Sequence, residues 1–309
     1  MVDIAMVTFN QELYIAQAID SVLMQKTTFP FKLIIGEDGS SDSTLAICQL
    51  YAKKYPDKIK LIANKANLGL VKNYQSVFKE CTAKYLAILE GDDFWTDKYK
   101  LQKQFEALEN DPDLGMVHTN FTLYDDVMHK SYKPPRNALL DGHIFYSLII
   151  DNYIGPLTVM LRKSILDQHL DFEIMIKEKY QTIDIAMWLE ISYNSKVAYL
   201  NEILAAYRKK KGSISIPHDF DKLVDFTQTQ LKTLKYFSDK YPINKSIQKE
   251  VYNTINYNLM LKSIHYNRFD KTSLYRRQCK PAGIVEIIRH QMAKHIFLIK
   301  AGKFLKIFN

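Results

Sequence analysis

The chain has 309 residues, of which 47% are hydrophobic and 25% are charged. This composition resembles that of average soluble domains and excludes a disordered, collagen-like or disulfide-built protein. The length suits one large α/β domain with a smaller appendage, or two modest domains, and either would bury a sizeable core.

The net charge of +8 belongs to segment 271–309, which holds nine basic residues and one acidic residue. The rest of the chain is balanced, with 33 basic residues (42 minus 9) against 33 acidic residues (34 minus 1). A nucleic-acid-binding protein would carry basic residues and stacking aromatics through its main domain. We therefore expect no nucleic-acid partner.

The first half of the chain alternates strand-like and helix-like segments. Apolar runs predict strands at 4–8, 32–35, 59–62 and 85–89, and helical spacing of apolar residues predicts helices at about 15–23, 43–55 and 71–81. Parallel strands need helical crossovers of this kind. The sequence therefore predicts an α/β fold with a mainly parallel sheet and helices on both faces.

The second half has fewer strand signals and ends in helices. Its predicted elements are a helix at 97–109, a looser stretch around Pro134 and Pro135, a strand at 158–161, a helix at 184–192, and long helices at 219–240 and 245–266. We place a domain boundary near Pro217, which separates domain 1–216 from a helical C-terminal region at 217–309.

Two acidic clusters follow predicted strands, where open parallel sheets bind their ligands. In the first, Asp38 can accept hydrogen bonds from a nucleobase or a ribose, although a turn capped by Ser41 or Asp42 explains the segment equally well. In the second, residues 90–93 crowd carboxylates that repel one another unless a cation such as Mg²⁺ or Mn²⁺ lies between them. The alternative is a solvated acidic loop. Together the two clusters suit a nucleoside and a metal-bound diphosphate.

Four segments in order, 6–10 (MVTFN), 37–44 (EDGSSDST), 67–69 (NLG) and 90–95 (EGDDFW), resemble the family 2 glycosyltransferases of the GT-A (Rossmann-like) fold. These are inverting enzymes that use nucleotide-diphosphate sugars. The resemblance is close over residues 3–110 and looser to about 215, so it implies that domain 1–216 is catalytic.

The resemblance implies specific roles for the residues of these motifs. The nucleoside pocket would be lined by Thr8, Asn10, Glu12 and Asp38, with Lys72 and Asn73 approaching the base or ribose. Asp92 would contact the ribose or the metal, and Asp93 would ligate a Mn²⁺ or Mg²⁺ ion. Glu37 and Glu90 stand where many relatives carry aspartate, and a carboxylate is kept at both positions.

For the catalytic base, the resemblance implies an acidic residue that begins a helix after a strand, and Asp184 fits that placement. An aspartate that only caps the helix is the alternative. As the diphosphate leaves an oxocarbenium-like sugar, a cation neutralises the departing charge and a carboxylate takes the proton of the acceptor hydroxyl. The metal and Asp184 should therefore face opposite sides of the sugar.

Two further features qualify the resemblance. Relatives often place a histidine near Lys210, so a third protein ligand to the metal is in question, and the lysines there either stabilise the diphosphate or form a loop without that role. The Q-x-x-R-W motif of processive enzymes is missing from the sequence, which favours a single-addition enzyme over a polymerase.

The tail at 284–309 carries apolar residues at helical spacing followed by Lys300, Lys303 and Lys306. Such a segment either lies on an anionic membrane or docks on its own domain with a charged outer face. No predicted segment spans a bilayer, no secretory leader is recognisable, and the three cysteines form no C-x-x-C pair. We expect a cytoplasmic protein, with peripheral contact at the inner face of the plasma membrane as one hypothesis.

The sequence thus predicts a hexosyl- or N-acetylhexosaminyl-transferase that moves a sugar, most simply from a UDP-sugar, to a glycan or lipid-linked glycan in bacterial surface polysaccharide synthesis. One alternative is a non-catalytic sugar-nucleotide-binding module, which would dispense with Asp184. Another is a nucleotidyltransferase, which would need a glycine-rich, basic phosphate loop after the first strand. Residues 8–12 contain neither a glycine nor a basic residue.

Overall fold

The first apolar run of the chain, Val2–Thr8, forms a strand in which every residue is buried. The computed structural model describes residues 1–126, 128–132, 140–209, 219–281 and 284–294. The strands are β1 (Val2–Thr8), β2 (Phe31–Glu37), β3 (Ile59–Ala63), β4 (Tyr85–Ile88), β5 (Phe94–Trp95), β6 (Leu114–Asp125), β7 (Lys130–Tyr132), β8 (Met160–Arg162) and β9 (Lys196–Lys209).

The helices are α1 (Ile15–Leu23), α2 (Thr44–Lys54), α3 (Leu70–Glu80), α4 (Lys100–Asn110), α5 (Phe145–Ile150), α6 (Lys163–His169), α7 (Phe172–Lys177), α8 (Asp184–Asn194), α9 (Phe220–Lys240), α10 (Lys245–His265), α11 (Phe269–Gln278) and α12 (Ile284–Met292). The strands form a sheet of order β3-β2-β1-β4-β8-β6-β9-β5, with β7 on β6. The pairs β3–β2, β2–β1, β1–β4 and β6–β9 are parallel. The predicted α/β fold is confirmed.

The long strands β6 and β9 are missing from the sequence prediction. In β6 the polar residues His118, Thr119 and Asn120 interrupt the apolar pattern, yet all three are buried. Burial lowers the pKa of the His118 imidazole to about 4, so this side chain stays neutral inside the sheet. In β9 the consecutive exposed residues Asn201 and Glu202 break the alternation of buried and exposed positions. Neither strand therefore has a clear local pattern, and both form through pairing with neighbouring strands.

The ends of the parallel strands are held level by their hydrogen-bond ladder. Thr8 at the end of β1 lies opposite Glu37 at the end of β2. Beyond β4 the ladder continues, because Leu89 N–H donates to Ala5 O (3.1 Å) and Gly91 N–H donates to Val7 O (3.0 Å). The loop that carries the second acidic cluster is therefore fastened beside the end of β1.

Helix α3 approaches the sheet closely because residue 36 is glycine. A Cβ at Gly36 would lie 2.4 Å from Asn73 Oδ1 and 2.5 Å from Val77 Cγ2. The Asn73 amide fills this position and donates to Gly36 O at 2.9 Å. Asn73 is buried, so its side chain is used in packing α3 against β2.

The chain divides into two compact units, one formed by Met1–Leu148 with Asn152–Lys210 and the other by Ile149–Asp151 with Lys211–Asn309. The second unit contains α9 to α12 and has its own apolar cluster, made by Tyr257, Met260, Ile264, Cys279 and Ala293. The boundary predicted at Pro217 and the stretch around Pro134 and Pro135 lie outside the described residues. Among the residues that are described, no helix combines the length and apolar character needed to cross a bilayer.

Only the beginning of the predicted amphipathic tail is described. Within α12, Ile287 and Ile288 are exposed, whereas Met292 packs against the apolar cluster of the second unit. The lysines at 300, 303 and 306 lie outside the described residues.

A fully buried lysine begins α4. The Lys100 Nζ donates to Gln104 Oε1 (2.6 Å) and lies 4.4 Å from the centroid of the Trp95 ring. These contacts favour the charged ammonium, but burial opposes it more strongly and lowers the pKa of Lys100 to about 7.

We expect this lysine to make folding stability depend on pH. An unfolded lysine has a pKa of about 10.4, so between about pH 7 and 10 the unfolded chain binds more protons than the folded chain. The free energy of unfolding should therefore rise with pH across this window, by up to about 1.4 kcal/mol per pH unit. This gain in stability is lost as the pH falls to the pKa of the folded lysine. Urea unfolding of Lys100→Met should lack this slope, while the exposed control Lys65→Met should keep it. An equal slope in wild type and Lys100→Met would contradict the assignment.

Candidate active site

The loop after β1 is joined to the loop after β2 by reciprocal hydrogen bonds. Asn10, with a left-handed φ of 51°, accepts the Ser41 N–H on its Oδ1 at 2.9 Å. Glu12 accepts the Ser43 N–H on Oε2 at 2.8 Å and donates its own N–H to Asp42 Oδ2 at 3.1 Å. Both Asn10 and Glu12 are exposed. The structure thus places these two predicted nucleoside-pocket residues on one surface.

Asp38 is one of the buried residues among those predicted to bind the nucleoside. Its side chain is buried, and its carboxylate accepts the N–H groups of Leu68 (2.9 Å) and Gly69 (3.0 Å) and the side-chain amide of Asn64 (3.1 Å). Asp38 therefore fastens the 67–69 loop that begins α3, and Lys72 is exposed in the first turn of that helix. A contact between Asp38 and a nucleobase stays a prediction.

The loop after β1 and the acidic loop at 89–93 lie against each other at Thr8 and Gly91. Thr8 is buried, and its hydroxyl donates to Gln11 Oε1 at 2.8 Å. A Cβ at Gly91 would lie 2.5 Å from Gln11 Oε1 and 2.8 Å from Thr8 Oγ1. Glycine at this position therefore lets the two loops lie against each other.

The second acidic cluster converges on one point. Glu90, Asp92 and Asp93 each offer a carboxylate oxygen, and these oxygens lie within 4.8 Å of one another. Asp93 is buried, and its Oδ1 accepts the Arg208 backbone N–H at 2.8 Å, whereas Glu90 and Asp92 are partly exposed. Converging carboxylate oxygens are the donor set that hard divalent cations prefer, so these residues fit a Mg²⁺-like or Mn²⁺-like ion.

Tyr74 on α3 connects this cluster with the predicted catalytic base. Its side chain is buried, and its hydroxyl donates to Glu90 Oε1 at 3.1 Å. Burial raises the pKa of the Tyr74 phenol well above its usual value, and the negative charges of Glu90, Asp184 and Asp92 add to this effect. The phenol therefore stays protonated, and carboxylates from the acidic loop and from α8 both act on its ionisation.

Asp184 is partly buried in the first turn of α8. Its Oδ2 accepts the Asn152 side-chain amide at 2.9 Å, and its Oδ1 accepts the Thr182 hydroxyl. The N-cap position of α8 is Ile183, which makes no side-chain capping bond. The carboxylate of Asp184 is therefore held by side chains on both of its oxygens, and the helix-capping alternative is not what the structure shows.

Sequence reasoning missed three residues that hold this site together: Tyr74, Asn152 and Arg208. Tyr74 lies on the apolar face of α3, so its pattern is that of a core residue. Asn152 precedes Asp184 by 32 positions and has no local signal. Arg208 lies two residues before Lys210, near which relatives often place a histidine; Lys210 itself lies outside the described residues.

Comparison with known proteins identifies a family and a fold. A profile of "Glycosyl transferase family 2" matches residues 3–170. An uncharacterised Mycobacterium tuberculosis protein is 31% identical over 67% of this chain, and the match spans 58% of that relative's length. An uncharacterised glycosyltransferase of Haemophilus influenzae is 23% identical over 99% of this chain and 95% of its own length. The UDP-Glc:α-D-GlcNAc-diphosphoundecaprenol β-1,3-glucosyltransferase WfgD of Escherichia coli is 27% identical, and the match covers 76% of this chain and 90% of that relative.

Solved structures show the same fold. Staphylococcus aureus TarS in complex with UDP-GlcNAc has a TM-score of 0.52 at 15% identity, covering 95% of this chain and 90% of its own. The mannosyltransferase PcManGT of Pyrobaculum calidifontis, in complex with GDP-Man and Mn²⁺, has a TM-score of 0.56 at 12% identity and covers 98% of this chain and 86% of its own. The predicted GT-A architecture is thereby confirmed. Because the family profile also covers more than half of its length, the chain belongs to glycosyltransferase family 2.

Proposed function

We propose that this protein transfers a sugar from a nucleotide-diphosphate donor to an acceptor hydroxyl with inversion at the anomeric carbon. The observation that carries the proposal is the arrangement of carboxylates around Tyr74. Tyr74 donates to Glu90 of the acidic cluster, and Asp184 contributes a separate carboxylate from α8 whose charge acts on the same phenol. Because the chain belongs to glycosyltransferase family 2, we interpret these carboxylates as groups that serve sugar transfer.

In the proposed reaction, Asp184 takes the proton of the acceptor hydroxyl as its oxygen attacks the anomeric carbon. The new carbon–oxygen bond forms while the bond from that carbon to the diphosphate breaks, so one displacement inverts the configuration. Asn152 and Thr182 hold the Asp184 carboxylate, which fixes the orientation of the oxygen that receives the proton.

The acidic cluster would hold a divalent cation, either Mn²⁺ or Mg²⁺, through Asp92 and Asp93 with Glu90 beside them. When bound, such an ion neutralises charge on the leaving diphosphate. The nucleoside would lie against the joined loops, near Thr8, Asn10, Glu12 and Asp38, with Lys72 at its edge. This proposal does not require Lys210 to take the place of a third protein ligand to the metal.

The donor we propose is a UDP-hexose or UDP-N-acetylhexosamine, and the acceptor is a glycan or a lipid-linked glycan. Support comes from the activity of the Escherichia coli relative, which uses UDP-Glc and a GlcNAc-diphosphoundecaprenol acceptor, and from UDP-GlcNAc in the TarS complex. On the same basis we propose a role in bacterial surface polysaccharide synthesis, with domain 1–216 catalytic and region 217–309 accessory.

A lipid-linked acceptor would bring the protein to the cytoplasmic face of a membrane, and we propose that the tail at 284–309 contacts it. The exposed Ile287 and Ile288 and the tail's positive charge support this placement. Replacing Lys300, Lys303 and Lys306 together with glutamine should weaken co-sedimentation with anionic vesicles by roughly 3 kcal/mol, at about 1 kcal/mol per cation. Neutral vesicles serve as the control. Equal sedimentation of wild type and variant with anionic vesicles would favour the docked tail.

The metal site is tested by nucleotide release from UDP-, GDP- and dTDP-sugars in Mn²⁺, Mg²⁺ or EDTA. We expect slow hydrolysis of one donor that requires a divalent cation and falls at least tenfold in Asp92→Asn. This substitution removes the carboxylate charge but keeps the Asp92 carbonyl, which accepts a hydrogen bond from Arg208 Nε at 2.8 Å. The control is Asp113→Asn, an exposed carboxylate paired with Lys196. Full turnover in EDTA would contradict the metal assignment.

The base is tested in the same assay with Asp184→Asn. Loss of a positioned general base should lower kcat by about 10²- to 10⁴-fold and leave the Kd for the UDP-sugar nearly unchanged. Donor binding by wild type without turnover, with every candidate acceptor supplied, would instead support the non-catalytic binding module.

A further inference from the structure

Arg208, at the end of β9, places a guanidinium inside the protein. Its side chain is only 3% exposed. The rings of Tyr14, Phe94 and Tyr124 surround it, with centroids 4.6, 5.2 and 5.2 Å from the guanidinium carbon. Cation–π contacts of this kind stabilise a cation that water cannot reach.

The same residue holds both neighbouring aspartates of the acidic loop. Its backbone N–H donates to Asp93 Oδ1 at 2.8 Å, and its Nε donates to Asp92 O at 2.8 Å. One bond fixes a side chain and the other fixes the peptide between the two residues. The orientation of the acidic loop therefore depends on where Arg208 lies.

The other arms of the guanidinium reach two further elements. Nη2 donates to Gln17 Oε1 on α1, the helix that follows the loop after β1. Nη1 pairs with Asp126, just beyond β6. A guanidinium presents five donors in a fixed plane, whereas a lysine ammonium is a compact charge without that fork. Lysine at position 208 would keep the charge and the backbone N–H but could not satisfy these acceptors together.

Removing the guanidinium also changes the local charge. Asp126 pairs with the guanidinium, which also donates to the Asp92 carbonyl of the acidic loop. Without Arg208, the carboxylate of Asp126 would lose the charge that pairs with it. Geometry and charge both make the acidic loop depend on this one side chain.

We propose that Arg208 is the positioning residue of the cation-binding loop: it holds Asp92 and Asp93 in the arrangement that binds the divalent ion and joins that loop to α1. The inference rests on the metal site of the proposed function. Arg208 does not touch the reacting atoms in this assignment, and it acts through the two aspartates.

The test is a titration of Mn²⁺ binding in the presence of UDP, in which electron paramagnetic resonance measures the free Mn²⁺. Partners that orient metal ligands typically contribute 10- to 100-fold in metal affinity, so Arg208→Lys should raise the Kd for Mn²⁺ by about that factor. UDP affinity measured in EDTA should change much less. Mn²⁺ affinity equal to that of wild type, in a folded Arg208→Lys protein, would overturn the proposal.

The matched control is Arg162→Lys. Arg162 also sends its guanidinium to backbone carbonyls, at Leu114 O (2.7 Å) and Asp111 O (3.2 Å), and to the Tyr85 hydroxyl (3.0 Å). Among the described residues, Arg162 makes no hydrogen bond with the acidic loop, so its replacement should lower the melting temperature without changing the Kd for Mn²⁺. A similar loss of Mn²⁺ affinity in both variants would show a general folding effect and overturn the specific role.

If Arg208→Lys does not fold, Gln17→Leu removes one partner of the guanidinium and should weaken Mn²⁺ binding in the same direction by a smaller factor. Unchanged Mn²⁺ affinity in Gln17→Leu would then count against the proposal.

Asp92→Asn distinguishes the claim that the acidic cluster binds the metal from the claim that Arg208 positions it. Absence of Mn²⁺ binding by wild type would refute the metal site itself, whereas binding lost in Asp92→Asn but kept in Arg208→Lys would refute only the role of Arg208.

Discussion

Carboxylates of like charge are crowded at one rim of the sheet, and much of the local structure compensates for their repulsion. Glu90, Asp92 and Asp93 offer oxygens within 4.8 Å of one another, and Asp184 is near enough to influence the same tyrosine. Such a cluster costs free energy unless hydrogen bonds or cations satisfy it. The Tyr74 hydroxyl serves Glu90, the Arg208 backbone N–H serves Asp93, and the donors of Asn152 and Thr182 serve Asp184. We propose that a divalent cation bound by the acidic cluster offsets the repulsion further.

The fold brings these groups together through close backbone approach. The ladder from β4 continues beyond the strand to Gly91, and the missing side chain there lets the acidic loop lie against Thr8 and Gln11. On the other side, Gly36 lets α3 lie close enough to the sheet for Tyr74 to reach Glu90. A side chain at either glycine would push apart elements that carry the site. The positions of two glycines therefore matter as much for the proposed chemistry as the charged residues themselves.

Sequence patterns predicted the first four strands and the helices between them, because their apolar residues face a single core. They also placed the polar rim correctly, since the carboxyl ends of parallel strands meet at one edge. They failed for β6, where buried polar residues such as His118 interrupt the apolar run, and for β9, where consecutive exposed residues such as Asn201 and Glu202 interrupt the alternation. Tyr74 and Arg208 were missed for a related reason. Their roles depend on partners far away in the chain, and no local spacing shows those partners.

The central claim is that a single displacement occurs with Asp184 as the base, and the configuration of the released sugar tests it most directly. Proton NMR can follow hydrolysis of an α-linked UDP-sugar in real time, before the anomers of the free sugar equilibrate. Our account predicts that the β anomer is released first. Initial release of the α anomer would show retention and would contradict the role assigned to Asp184 and to the carboxylates around Tyr74.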